Sequence, residues 1–140
     1  MEQRHKDNLL KLANYLEALP ANYDQFDMEY FMKDRYAELY PFSADRLTTD
    51  CGTVACAVGH GPAAGIPIER DTGWDRYAER VFGIGPVRGS YDRWDYLFSG
   101  AWAGIDNTAK GAAARIKTFL KLGDVPEGFS LDDLLYGDEA

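Results

Sequence analysis

Between Thr108 and Gly123 the chain places Ala109, Ala112, Ala113, Ile116, Phe119 and Leu120 on one side of a helical period. Apolar residues at that spacing commit a segment to an amphipathic helix with one buried face. Thr108 stands where a side-chain oxygen can accept an orphan backbone N–H at the helix start. Gly123 stands where a left-handed residue ends a helix. The bases of the segment are Lys110, Arg115, Lys117 and Lys121, without one acid, and most lie toward the negative end of the helix dipole.

The same period recurs along the chain. Leu9, Leu12, Ala13, Leu16 and Leu19 predict a helix over about residues 4–18, stopped by Pro20 and by Asn22-Tyr23-Asp24. Residues 26–40 read as a helix capped by Asp27 with Met28, Phe31, Met32 and Tyr36 on one side, although Phe26 to Tyr30 also alternates as a short strand does. Val54, Ala55, Cys56, Ala57 and Val58 are small and apolar all round, which predicts a buried central helix from Thr53 to about His60. Trp74, Tyr77, Ala78, Val81 and Phe82 form another stripe, closed by Gly83. Ser90 is expected to cap a helix containing Trp94, Leu97 and Phe98. Ser130-Leu131-Asp132-Asp133 starts a last short one, from which Phe129, Leu131, Leu134 and Leu135 should dock on the core. With 46% hydrophobic and 14% aromatic residues, the 140-residue chain has the material for a core. The expected fold is all-α: one compact domain, residues 1–140, of about six short helices around an aromatic-rich core.

Charge and targeting signals exclude several roles. The net charge is −8, made of −4 over residues 1–50, +2 over 51–123 and −6 over the acidic segment 124–140. Direct nucleic-acid binding through a basic face is therefore disfavoured, while an acidic surface that imitates nucleic acid stays open. No apolar run is long enough to span a membrane, and Met1 to Lys6 leads into an amphipathic pattern rather than a signal peptide. The expectation is a cytoplasmic protein without a membrane partner. The cysteines, Cys51 and Cys56, are too few and too close for a secreted disulfide framework and are read as thiols.

The segment from Asp50 to His60, Asp-Cys-Gly-Thr-Val-Ala-Cys-Ala-Val-Gly-His, admits three chemistries. A thiol at a helix start, Cys51, is activated by the helix dipole, but a nucleophile also needs a base. His60 lies two turns away, roughly 10 Å along the axis, and His5 belongs to another helix. Cys56 and His60, four residues apart, can share a helical face as metal ligands, with Cys51 as a third. No further cysteine or histidine completes a tetrahedron. The third reading, packing of small buried residues with His60 ending the helix, outweighs both. No catalytic residue, metal or cofactor is assigned on this reading, with Cys51 and His60 as the catalytic candidates and Cys51, Cys56 and His60 as the metal candidates.

This segment, together with Asn8 to Ala13, Phe26-Asp27-Met28, Asn107-Thr108 and Ala112 to Ile116, resembles small uncharacterised proteins of bacteriophages and prophages. The resemblance covers about residues 8–123. It implies a phage-type accessory protein in a host cytoplasm and supplies no functional residues.

Residues 70–96 hold Arg70, Arg76, Arg80, Arg88 and Arg93, no lysine, and interleaved Trp74, Tyr77, Phe82, Tyr91, Trp94 and Tyr96. Arginine and aromatics are the residues enriched at interface hot spots. The glycine-rich loop 83–90 runs into a capped helix start, which suits a phosphate or carboxylate beside Arg88. Against both stands a core of aromatics with the arginines paired to Asp75, Glu79, Asp92 and Asp95. The binding candidates are Arg76, Arg80, Arg88, Ser90, Tyr91 and Arg93. The leading expectation is a non-enzymatic protein that binds a host protein to blunt a defence system. The alternatives are a hydrolase or transferase using Cys51, and a binder of a small phosphorylated anion.

Overall fold

The apolar stripes of Leu9 to Leu16, Trp74 to Phe82 and Ala109 to Phe119 fold as helices. A computed structural model describes residues 1–20, 23, 26–28, 56–69, 73–85 and 91–136. Among these residues there are five α-helices: α1 (Gln3–Glu17), α2 (Trp74–Phe82), α3 (Tyr91–Phe98), α4 (Ala109–Leu122) and α5 (Leu131–Tyr136). Two 3₁₀ helices, Val58–His60 and Gly100–Gly104, lie between them, and the described residues contain no β-strand. No helix among them is long and apolar enough to cross a membrane.

The principal pairing is α1 against α4. Leu9, Leu12, Ala13 and Leu16 on α1 are fully buried, and so are Ala112, Ala113 and Ile116 on α4, with Phe119 nearly so. Leucines facing alanines interdigitate and let the two backbones come close. The end of α1 lies beside the start of α4, where Leu19 and Pro20 line one pocket with Thr108, Ala109 and Lys110. Lys117 Nζ donates to Glu17 Oε2 at 2.8 Å across the same pair. Both groups are solvent-exposed, so the bond adds little to the buried face.

On another side α1 finishes the C-terminus of α2. The last carbonyls of a helix have no partner within it. Asn8 Nδ2 donates to the Val81 carbonyl at 2.8 Å, and His5 Nε2 donates to the Arg80 carbonyl at 3.1 Å. Gly83 closes α2 in the left-handed region, φ 70°, with its N–H on the Glu79 carbonyl. The approach of α1 is tight here: a Cβ on Gly83 would lie 2.6 Å from His5 Nδ1.

Aromatic rings carry the core between the helices. Trp74, Tyr77, Phe82, Phe98 and Trp94 form a chain of ring pairs with centroids 5.5 to 6.1 Å apart, joining α2 to α3. Tyr96, Trp102 and Phe129 form a second group that ties α3, the Gly100–Gly104 helix and the approach to α5. Such pairs add to the apolar area they remove from water.

The capping expectations hold at Thr108, whose Oγ1 accepts the Gly111 N–H, at Gly123 with φ 81°, and at Ser130, whose Oγ accepts the Asp133 N–H. Two expectations are corrected. The described end of the small-residue segment is a 3₁₀ turn at Val58–His60, where the His60 N–H is shared between the Cys56 and Ala57 carbonyls. Gly59, Gly61 and Pro62 do not sustain a wider helix there. Leu134 and Leu135 are exposed at 49% and 38%; of the four residues expected to dock, Phe129, ahead of α5, and Leu131, at its start, pack against the core. Phe26, Asp27 and Met28 are not helical, and the remainder of the 26–40 expectation, Thr53 to Ala55, Ser90 and Gly137 to Ala140 lie outside the described residues.

The α1–α2 junction yields a graded test. Gly83→Ala meets both a left-handed backbone and the His5 ring, whereas Gly123→Ala meets a left-handed backbone in open space. Thermal unfolding should show a loss of about 1 kcal/mol for Gly123→Ala and roughly 2 kcal/mol or more for Gly83→Ala. Equal losses would mean that α1 does not press on this turn.

Candidate functional site

Four side chains that carry chemistry meet around the turn at residues 56–60. His60 is completely buried, among the rings of Tyr15, Tyr23 and Phe26 at centroid distances of 6.3, 5.6 and 5.5 Å. Its Nδ1 lies 2.7 Å from the Cys56 carbonyl, and its Nε2 lies 2.8 Å from Tyr23 Oη. A carbonyl only accepts, so the proton sits on Nδ1. Nε2 is then an acceptor, and the Tyr23 hydroxyl donates to it. Burial pushes the imidazole down to about 4, against the smaller opposing effect of its bond to the Cys56 carbonyl.

Cys56 is buried beside it, and burial pushes its thiol up to about 11. A thiol held that high is not a thiolate at neutral pH, and thiolate is the reactive and metal-binding form. The i, i+4 relation between Cys56 and His60 is therefore spent on a backbone carbonyl rather than on a shared ligand. His5 caps α2, as described above. Among the described residues no group of three or more histidine, cysteine, aspartate or glutamate side chains is placed to hold a metal ion. Cys51 lies outside the described residues.

The turn is locked from its other side by Tyr77. The Tyr77 hydroxyl donates to the Ile66 carbonyl, and a Cβ on Gly61 would collide with that hydroxyl. Segment 26–28 is held by Asn107, whose Oδ1 accepts the Met28 N–H at 2.7 Å and whose Nδ2 donates to Asp27 Oδ1 at 3.2 Å. These polar clamps fix loops that the apolar pattern leaves unplaced.

The arginines expected to bind are divided between two surface depressions. Arg76 and Arg80 line an open groove of about 500 Å³ with Glu69 and Glu79. Arg80 Nη2 donates to the Pro67 carbonyl at 2.9 Å, and Nη1 lies 4.0 Å from Glu69. Arg93 lines a second cleft, also of about 500 Å³, with Asp92, Asp124, Val125, Pro126, Gly128 and Phe129. Arg93 Nε donates to Asp124 Oδ1 at 3.1 Å, and that bond holds the Asp124 carboxyl below its ordinary range. The partners of Arg80 and Arg93 are thus distant acids and a carbonyl, not the sequence neighbours Asp75, Glu79, Asp92 and Asp95. Tyr91 opens α3, and Arg88 and Ser90 lie outside the described residues.

Sequence reasoning missed Arg115. In the sequence it stands as one of four bases on α4, and its side chain is only 7% exposed. Its guanidinium stacks on Trp102 with the carbon 3.9 Å from the ring centroid. Nη1 lies 3.6 Å from Asp106 Oδ2, while Nε and Nη2 are buried without a hydrogen-bond partner among the described residues. The available signal was its spacing: residue 115 adjoins Ile116 and lies three beyond Ala112 at the edge of the apolar stripe. No family model, no curated protein and no solved structure matches the chain.

The state of His60 gives a pH prediction with a definite sign. A histidine whose folded pKa is lowered contributes stability in full above its unfolded value, near 6.5, and loses it as pH falls toward 4. The loss attributable to this ring approaches roughly 3 kcal/mol below that range. Imidazole ¹⁵N correlations should show a neutral ring protonated at Nδ1 down to the acid unfolding transition. An ordinary titration near 6.5 in the folded protein would contradict the buried arrangement.

Proposed function

We propose that this protein is a non-enzymatic binding protein, an accessory factor of the phage type that engages a host protein through the cleft between α3 and residues 124–129. The observation that carries this reading is how the side chains are used. Cys56 and His60 are sealed in the core, and both imidazole nitrogens are engaged in holding a turn. The open, concave surface is lined instead by charged side chains with aromatic and proline neighbours. Of the two depressions, the α3 cleft combines an arginine, acids and a half-buried phenylalanine, the mixture that protein interfaces favour. Among the described residues, those that line the groove beside Arg76 are all charged. The resemblance to phage proteins supports a host partner and a role in countering host defence.

Capture from host lysate by tagged protein tests the reading through two charge reversals. Arg93→Glu breaks the bond that joins α3 to Asp124 and removes the guanidinium from over Phe119, so the cleft loses its shape whatever the sign of its charge, while the loss of one exposed ion pair leaves the melting temperature nearly unchanged. The expected result is a captured partner whose retention falls at least about tenfold with Arg93→Glu and stays near wild type with Arg76→Glu. Retention unaffected by Arg93→Glu would place the working face elsewhere.

A further inference from the structure

The α3 cleft is chemically lopsided. The one base among its described lining residues, Arg93, is already committed to Asp124, and Asp124 Oδ1 also accepts the Val125 N–H at 2.8 Å. Asp92, on the α3 wall, has no ion-pair partner among the described residues. Asp92 and Asp132 both stand close enough to Asp95 to repel its charge. The Asp95 carboxyl is held above its ordinary range by burial, and then by the charges of Asp92 and Asp132. Residues 124–136 contain no base. Val125, Pro126 and Phe129 supply apolar surface in the same cleft, and Phe129 is backed by Tyr96 at 5.0 Å between ring centroids.

An apolar track that leads to an unneutralised carboxylate, Asp92, is what a long cationic side chain requires. Its methylene stem lies on apolar surface while its head meets the charges. An anionic ligand would face the uncompensated Asp92, and the one arginine among the described lining residues would have to be taken from Asp124. We propose that the cleft receives a lysine or arginine side chain carried on a basic segment of a partner protein. This partner class presupposes the binding role proposed above and names the chemistry recognised there.

A synthetic probe separates the two ideas. The full-length protein is titrated with the blocked peptide acetyl-Arg-Leu-Arg-Leu-Arg-amide at moderate salt, with backbone amide shifts followed by NMR. The expected shifts concentrate at Arg93, Val125, Gly128 and Phe129. Asp92→Lys should weaken the peptide by about tenfold, whereas Asp7→Lys, the same charge change on the exposed face of α1, should change it less than about twofold. Equal weakening by both reversals, shifts spread over α1, or no binding would each overturn the inference by reducing it to bulk charge or to nothing. A host protein captured in an Arg93-dependent manner while the peptide leaves the cleft unshifted would overturn the basic-segment idea alone. Peptide binding at the cleft without any captured partner would count against the host-protein reading alone.

Discussion

Helix α1 is the constraint on which the rest of the described fold depends. One face, Leu9 to Leu16, is closed against the alanine-rich face of α4, and the polar residues at its edge, His5 and Asn8, complete the last turn of α2. A single helix thus supplies an apolar surface to one neighbour and hydrogen-bond donors to another. The two roles are coupled through geometry. Residues 5, 8, 9 and 12 are spaced so that capping and burial happen together when α1 seats. Burying four side chains on one helix removes enough apolar area to hold both partners, whereas α2, with nine residues, is too short to be stable alone.

The second layer of organisation is polar and sits in the loops. Asn107 holds the backbone at Met28, Tyr77 holds the carbonyl at Ile66, and His60 ties Tyr23 to the Cys56 carbonyl. Each of these bonds joins residues far apart in sequence or closes a turn whose own backbone groups would be buried unpaired. This is why the two histidines and Cys56 serve the fold. In each case the polar atom is already satisfied by a partner that the fold needs. The surface clefts at Arg76 and Arg93, by contrast, have charged and open walls.

Local pattern made the helices legible, and long-range contacts made the remainder illegible. The stripes on α1, α2 and α4, and the stops at Gly83 and Gly123, follow from residue spacing and from the rarity of side chains in the left-handed region. The Gly100–Gly104 helix was not legible, because Ala101, Trp102 and Ala103 form no period and are held by Trp102 stacking on Phe129 and bonding to the Asp95 carbonyl. Arg115 was missed for the same reason: a charged residue is buried only when a distant ring and a carboxylate come to meet it. The arginine partners were misassigned because Arg93 and Asp124 are 31 residues apart, and sequence proximity favoured the acids beside them. The packing of Cys56 was legible, since a small apolar run has few other uses. The role of His60 was half legible: it closes a turn, but by donating to a carbonyl inside an aromatic cage rather than by facing a helix dipole.

Native-state amide hydrogen exchange measures the standing of α1 most directly, because it reports the free energy at which each helix opens. If α1 seats α2 and α4 together, amides of Leu12 to Leu16 and of Ile116 to Phe119 will share the slowest exchange and open only with global unfolding. The amides at the end of α2 will open no later than those of α1. Slow exchange confined to α4, with α1 opening locally at lower free energy while α2 stays protected, would contradict the account.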